Sequence, residues 1–178
     1  MTVRTQTEPA YPAAGPLADQ QGYAAAEPHL PPCCQPDGQA PPTAVYQTLQ
    51  AVFGFPDFRP GQLQVISLLL AGRSALAVFP TGSGKSLCFQ LPALLLDGLT
   101  LVVSPLLALM KDQVDYLRRR GIPAARLDST LTHTEASSVL RQVRSRQIKI
   151  LYISPERVGM ETFRALVPPG SVSLFVVD

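Results

Sequence analysis

Residues 79–90 read "FPTGSGKSLCFQ", and this stretch decides the predicted fold because a glycine-rich turn joins an apolar strand to a helix. Glycines let backbone amides converge on an anion without obstruction by side chains, and the amino end of a helix adds a positive dipole. The stretch therefore predicts a phosphate-binding loop. We expect the Lys85 ammonium to reach the β- and γ-phosphates of a nucleotide and the Ser86 hydroxyl to ligate Mg²⁺.

The loop departs from the full pattern G-x-x-x-x-G-K-[ST] at its first position, where the chain has Phe79. A proline and two glycines remain to form the turn, so the prediction is weakened only slightly. A turn that merely connects a strand to a helix is the alternative, and it is disfavoured because strand, helix and Lys-Ser pair are in register. The residues predicted to surround the nucleotide are Thr81, Gly82, Ser83, Gly84, Lys85 and Ser86.

Strands and helices are predicted to alternate around this loop. The strand segments are "SALAVF", "LTLVVS", "AARLDS", "IKILYIS" and "SLFVVD". Helices are predicted over residues 43–53, 60–71 and 105–120, and from residues 85, 133 and 155 onward. Short apolar strands that alternate with longer helices predict an α/β fold, a parallel sheet with helices on both faces.

Chemical signals mark several helix boundaries. Thr132 and Glu135 have the spacing of a capping box, in which each side chain accepts a hydrogen bond from the other's amide. Pro105 and Pro155 are expected in the first turns of their helices, where no amide donor is needed. The run "LRRRG" at 117–121 is interpreted as a helix end whose cations complement the helix dipole, in preference to a nucleic-acid patch.

The stretch "VSLFVVD" at 172–178 has the composition of a central strand of a parallel sheet. Ligands of such sheets bind beyond the carboxyl ends of the strands, so Asp178 is expected in a site. Enzymes with this loop hold Mg²⁺ with the loop hydroxyl and an Asp at a strand end, which predicts that Ser86 and Asp178 share the ion. Lys85 and Asp178 are the predicted catalytic residues. The segment reaches no residue that positions an attacking water, so alone it is expected to hydrolyse ATP at background level.

Composition divides the chain near residue 42. Residues 1–42 hold nine of the 18 prolines, one basic residue and four acidic ones, and they show no apolar period. We expect a disordered tail there, because this segment cannot bury enough surface to offset the entropy of ordering. Residues 43–178 carry 14 basic and nine acidic residues, a net charge of +5 that is compatible with a polyanionic ligand. They are expected to form one domain, incomplete at its carboxyl end.

Cysteine usage and hydropathy bear on the compartment. Cys33 and Cys34 are adjacent, and the three cysteines form neither a disulfide framework nor a zinc spacing. Charges at Arg73 and Asp97 interrupt the apolar runs, so none reaches the roughly 18 residues of a membrane span. We expect a soluble cytoplasmic protein without a membrane partner, associated with the nucleoid if the source is bacterial.

Four stretches together resemble the first motor domain of a RecQ-type DNA helicase. They are "FGFPDFRPGQLQVI", "PTGSGKSLCFQLPALLLDG", "VVSPLLALMKDQVDYL" and "LYISPERV", in the family's order, and the resemblance covers roughly residues 45–178. It implies a RecA-like domain that uses ATP and Mg²⁺ and binds single-stranded and duplex DNA. For the complete protein it implies ATP hydrolysis coupled to 3′–5′ unwinding in recombination and repair, with a second motor lobe that closes over the nucleotide.

The resemblance assigns adenine recognition to the segment "GFPDFRPGQ". It implies that Phe55 and Arg59 sandwich the base and that Gln62 reads its edge through paired hydrogen bonds. An aromatic face and a guanidinium plane both stack on a base, and a primary amide offers a donor and an acceptor. From the residues alone, a core position for Phe55, packed behind Phe53 and Phe58, remains an equal alternative.

The resemblance also implies contacts with the backbone of single-stranded DNA. Ser104, Pro105 and Lys111 lie where the family makes them, and "SPER" with Arg157 has the corresponding place after the next strand. Amides at helix starts and nearby cations bind phosphates. Solvated surface charge remains the alternative for Lys111 and Arg157.

Two other functions remain open from sequence. One is an RNA helicase motor domain. The sequences "SPLLALMKDQV" and "FRPGQ" argue against it. The other is a truncated nucleotide-binding or interaction module without turnover.

Overall fold

The computed structural model describes residues 2–4, 43–159, 163, 167 and 170–178. The strands are β1 (Thr2–Arg4), β2 (Ala75–Leu76), β3 (Leu99–Val103), β4 (Ala124–Leu127), β5 (Ile150–Ile153) and β6 (Val172–Val177). The helices are α1 (Thr43–Thr48), α2 (Gln62–Leu70), α3 (Leu87–Leu95), α4 (Leu107–Arg119), α5 (His133–Arg144) and α6 (Pro155–Val158). A π-helical run, Leu49–Phe53, continues α1.

The strands form one sheet in the order β2-β1-β6-β3-β5-β4. β3 pairs in parallel with both β5 and β6, and β4 pairs in parallel with β5. The carboxyl ends of these four strands therefore lie along one edge, which is where a parallel sheet binds ligands. The predicted parallel sheet is confirmed.

Buried side chains cover both faces of the sheet. On one face they join α2, α3 and α4 to the strands through a core that includes Ile66, Leu69, Phe89, Leu91, Val102, Met110, Leu117 and Tyr152. On the other face they join α5 to the strands through Leu101, Leu127, Ala136, Val143, Leu151 and Ile153. The predicted arrangement of helices on both faces is confirmed. Within the described residues, no helix is long and apolar enough to cross a membrane.

The first strand differs from the sequence prediction. β1 pairs antiparallel with β2 on one side and with β6 on the other, although a disordered tail was expected over residues 1–42. Backbone pairing explains the difference, because the side of β6 away from β3 offers free donors and acceptors to any extended segment. The remainder of the predicted tail, residue 1 and residues 5–42 with Cys33 and Cys34, lies outside the described residues.

Helix boundaries mostly follow their signals. The capping box of α5 is present, with Thr132 Oγ1 accepting from the amide of Glu135 and the carboxylate of Glu135 accepting from the amide of Thr132. Pro155 occupies the first turn of α6 as predicted. Pro105 does not occupy the first turn of α4, which begins at Leu107 after an extended Leu106. The residue before a helix needs extended backbone, and Leu106 provides it.

Candidate nucleotide site and nucleic-acid interface

The phosphate-binding loop joins β2 to α3, as the sequence predicts. Gly82 and Gly84 both have left-handed backbone, with φ of +77° and +82°. The left-handed backbone of Gly84 favours glycine, and a Cβ there would lie 2.6 Å from Nε2 of Gln62 and displace that amide from the loop. Lys85 and Ser86 follow at the amino end of α3, where free amides and the helix dipole favour an anion.

The Lys85 side chain lies across the loop. Its Nζ donates to the carbonyl oxygens of Phe79 (3.1 Å) and Pro80 (3.4 Å). The only ion pair among the described residues joins Arg126 to Asp128, so no described carboxylate competes for the Lys85 charge. Two carbonyl contacts are weaker partners than a phosphate, and the ammonium is therefore available to one.

Ser83 adds an observation that bears on the fit of a nucleotide. Its Oγ is buried and has no hydrogen-bond partner among the described residues. A buried hydroxyl without a partner costs free energy, and a bound phosphate or its hydration would supply one. Together with the glycines and Lys85, this hydroxyl makes the loop chemically suited to a nucleoside triphosphate.

Arg59 and Gln62 contact the same loop from a distant part of the sequence. Nε2 of Gln62 donates to the carbonyl oxygens of Ser83 (3.2 Å) and Gly84 (3.0 Å), and its Oε1 accepts from the Arg59 amide (2.9 Å). Nη1 of Arg59 donates to the Gly82 carbonyl at 2.7 Å. The resemblance assigned both side chains to adenine, and these contacts were not predicted. A backbone carbonyl can belong to any residue type, so a sequence motif does not identify it as a hydrogen-bond acceptor.

Phe55 is not a core residue. Its side chain is 44% exposed, whereas Phe53 is buried and Phe58 packs edge-on against Tyr46 with ring centroids 5.2 Å apart. The core alternative for Phe55 is therefore wrong. An exposed ring beside the segment that carries Arg59 is available for stacking.

Asp178 follows β6 at the carboxyl edge of the sheet. Its amide donates to the Val103 carbonyl (2.9 Å), the Ser104 amide to the Ile153 carbonyl (3.1 Å), and the Ser154 amide to the Leu127 carbonyl (3.2 Å). Each hydrogen bond ties the residue after one strand to the last residue of its neighbour. Asp178, Ser104 and Ser154 thus form a row along the edge where ligands bind.

The predicted DNA contacts differ in exposure. Pro105 and Lys111 are exposed and Arg157 is half-buried, but Ser104 is only 1% exposed. The Ser104 hydroxyl accepts from the Leu106 amide (3.4 Å), so it supports the turn before α4. Ser104 therefore lies below the surface, with its amide already donated to the Ile153 carbonyl.

Ser154 has a comparable supporting role before α6. Its hydroxyl donates to Oε1 of Glu156 at 2.5 Å. This hydrogen bond, with one from the backbone amide of Glu156, holds the pKa of that carboxyl below its usual value. Glu156 is therefore ionised at neutral pH, beside Arg157.

A buried carboxylate at the end of β4 was missed by sequence reasoning. Asp128 is fully buried, with Oδ2 2.5 Å from Nη1 of Arg126 and Oδ1 accepting from the Thr130 amide (2.9 Å) and hydroxyl (2.5 Å). Burial raises the pKa of Asp128, but the Thr130 hydrogen bonds and the Arg126 charge outweigh burial and lower it. The signal was present in the sequence, since an Asp directly after an apolar strand had already identified Asp178.

The run "LRRRG" is used within the fold. Nε of Arg118 donates to the Ala124 carbonyl (2.8 Å), and the Arg120 guanidinium lies 3.8 Å from the centre of the Tyr116 ring. These contacts support the helix-end interpretation of the three arginines.

Comparisons with known proteins agree with the geometry. A family model described as DEAD/DEAH box helicase matches residues 59–178. The chain is 48% identical over 137 residues to the ATP-dependent DNA helicase RecQ of Haemophilus influenzae, covering 77% of this chain and 22% of that protein. It is 52% identical over 128 residues to the RecQ of Synechocystis, covering 72% and 27%, and 47% identical over 131 residues to the ATP-dependent DNA helicase Q-like 5 of Arabidopsis thaliana, covering 73% and 14%. The chain thus spans about a quarter or less of the length of these relatives.

Proposed function

We propose that this chain, which belongs to the DEAD/DEAH box helicase family, binds ATP and single-stranded DNA as the first motor segment of a RecQ-type DNA helicase. In the complete protein, this segment takes part in ATP hydrolysis coupled to 3′–5′ unwinding, in recombination and repair. One observation carries the proposal. The segment around Arg59 and Gln62 and the loop around Gly84 are far apart in sequence and are hydrogen-bonded to each other, as a single nucleotide pocket requires.

Each part of the pocket has a separate task in this proposal. The loop amides and Lys85 hold the phosphates, and Lys85 exchanges its contacts with the Phe79 and Pro80 carbonyls for the β- and γ-phosphates. Phe55 and Arg59 stack on the adenine. Gln62 reads the adenine edge after its amide has released the loop carbonyls.

Ser86 and Asp178 would hold Mg²⁺. A hydroxyl and a carboxylate are oxygen ligands of the kind that this ion prefers. When bound, the ion neutralises charge on the phosphate oxygens during transfer. Asp178 is half-buried at the strand edge, and the hydrogen bond from its amide to the Val103 carbonyl fixes its position there.

The DNA strand is proposed to follow the carboxyl edge of β3 and β5. Lys111 and Arg157 supply positive charge for contacts with the phosphates, Pro105 is exposed, and the buried Ser104 supports the turn before α4. These contacts carry no sequence information, which suits a motor that moves along any sequence.

ATP hydrolysis by the complete protein, with and without single-stranded DNA, tests the proposal. Lys85→Ala is expected to lower the stimulated rate about 100-fold or more, because a phosphate-stabilising charge is lost. Arg141→Ala, which removes an exposed charge from α5 on the other side of the sheet, is the matched control. Equal rates for Lys85→Ala and the wild type would overturn the proposal. If the complete protein unwinds RNA and DNA duplexes equally well, the proposed substrate becomes nucleic acid in general.

A further inference from the structure

A buried hydrogen-bonded network lies between α3, α4 and β5. Nε2 of Gln90 donates to Oε1 of Gln113 (2.7 Å) and to the hydroxyl oxygen of Tyr152 (3.1 Å). Gln90 is 2% exposed and Tyr152 is 1% exposed. Both hydrogens of one buried amide nitrogen are thus used to join three separate elements, with Gln113 half-buried.

Packing alone does not account for these polar groups. An apolar side chain of similar volume at Gln90 would avoid the desolvation cost of a buried amide. Buried polar networks that are satisfied fix the relative position of the elements that they join, because each hydrogen bond tolerates little displacement. The network therefore specifies how α3, α4 and β5 lie against one another.

The three residues connect the two parts of the proposed site. The Gln90 amide donates to the Ser86 carbonyl (3.0 Å), which places Gln90 one helical turn after the phosphate-binding loop. Gln113 lies on α4, the helix that carries Lys111. Tyr152 lies on β5, two residues before Ser154 and the start of α6.

The environment of Tyr152 keeps its hydroxyl protonated. Burial raises the pKa of the Tyr152 hydroxyl, a hydrogen bond from Gln90 opposes this, and the charge of Asp178 raises it further. The hydroxyl is therefore neutral at all ordinary pH values and remains a hydrogen-bonding group. The Tyr152 hydroxyl thus joins β5, whose end lies at the proposed DNA-binding edge, to α3 through Gln90.

We propose that Gln90, Gln113 and Tyr152 are positioning residues that couple DNA binding along α4 and β5 to the alignment of the phosphate-binding loop. This inference rests on the function proposed above. When Lys111 and the residues after β5 engage a DNA strand, any shift of α4 or β5 against α3 acts on the Gln90 side chain. Gln90 transmits the shift to Ser86 through the first turn of α3.

The test measures ATP hydrolysis by the complete protein at increasing concentrations of single-stranded DNA. Tyr152→Phe and Gln90→Met are expected to lower the DNA-stimulated rate about 3- to 30-fold, the range found for residues that couple distant sites. The rate without DNA and the KM for ATP are expected to stay within about twofold of the wild type, since neither residue is among those proposed to bind the nucleotide. Tyr116→Phe is the matched control, because it removes a tyrosine hydroxyl from α4 outside the network.

The double variant Gln90→Met/Tyr152→Phe separates coupling from stability. Replacing both partners by apolar groups leaves few unsatisfied polar atoms, so its melting temperature should recover relative to Gln90→Met. Stimulation by DNA should remain lost. Recovery of stimulation together with stability, or full stimulation in the single variants, would overturn the inference. A wild type that DNA does not stimulate at all would overturn the proposed function itself, which makes the two failures distinguishable.

Discussion

The phosphate-binding loop and the carboxyl edge of β3, β4 and β5 position functional groups in different ways. The loop depends on its backbone, because Gly82 and Gly84 adopt left-handed conformations and Arg59 and Gln62 bind its carbonyls. The strand edge depends on buried side chains, since the Ser104 hydroxyl accepts from the Leu106 amide and the Ser154 hydroxyl donates to the exposed Glu156. The phosphate-binding loop is therefore sensitive to added side-chain atoms, and the strand edge is sensitive to the loss of a buried hydrogen-bonding partner.

The largest effect at the strand edge is expected from Asp128→Ala. It leaves Arg126 and the Thr130 amide without their buried acceptor, and the local free energy of opening should fall by about 2 kcal/mol. Hydrogen exchange of the amides of residues 128–131 in the complete protein measures this change. Unchanged exchange would show that the edge does not depend on its buried carboxylate.

The same carboxylate predicts a pH dependence. Because the folded-state pKa of Asp128 is lowered, its stabilisation is present above the unfolded-state pKa of about 3.9 and is lost as the pH falls through the folded-state value. Asp128→Asn keeps an acceptor for Thr130 but does not titrate. We expect the protection of amides 128–131 against hydrogen exchange to decline below about pH 4 in the wild type. In Asp128→Asn this protection should depend less on pH.

At the loop, Gly84→Ala compared with Gly82→Ala isolates the effect of close contact. Both substitutions place a side chain in left-handed backbone, at a cost of about 1–2 kcal/mol. Only the Cβ at position 84 meets another atom, the Gln62 amide at 2.6 Å, whereas that at position 82 meets nothing within 4 Å. Titration with a fluorescent ATP analogue should show about tenfold weaker binding for Gly84→Ala than for Gly82→Ala. Equal losses would mean that backbone strain alone governs the loop.

Gln62→Met distinguishes the observed role of Gln62 from its predicted role. Loss of the contacts with the Ser83 and Gly84 carbonyls should weaken ATP and GTP binding alike. Loss of adenine recognition should weaken ATP binding further, by about tenfold for a pair of hydrogen bonds. We expect Gln62→Met to weaken ATP binding more than GTP binding, which the ratio of the dissociation constants for ATP and GTP measures. An unchanged ratio would assign Gln62 to the loop alone.

The two regions also differ in how far sequence predicts them. The loop was predictable because glycines and a Lys-Ser pair encode a backbone conformation locally, and the alternation of strands and helices predicted the sheet. The hydrogen bonds of Arg59, Gln62 and Gln90 were not predicted, because each joins residues distant in sequence whose proximity follows only from packing. β1 was missed for a related reason, since its pairing depends on a distant strand and three residues carry no periodic signal. Asp128 differs, since its partners Arg126 and Thr130 are near in sequence and its place after an apolar strand was a usable signal.

The smallest expected effect concerns the exposed cation Lys111. Lys111→Ala should weaken binding of single-stranded DNA a few-fold and lower the slope of log affinity against log salt by about 0.7, because one phosphate contact releases one counterion less. Arg120→Ala is the matched control, since the guanidinium at the end of the same helix stacks on Tyr116 and faces no proposed phosphate. Fluorescence anisotropy at several salt concentrations measures both slopes. Equal slopes for Arg120→Ala and Lys111→Ala would extend the nucleic-acid surface to the arginine run and contradict its interpretation as a helix end. An unchanged slope for Lys111→Ala would leave Lys111 as a solvated surface charge and move the DNA path away from α4.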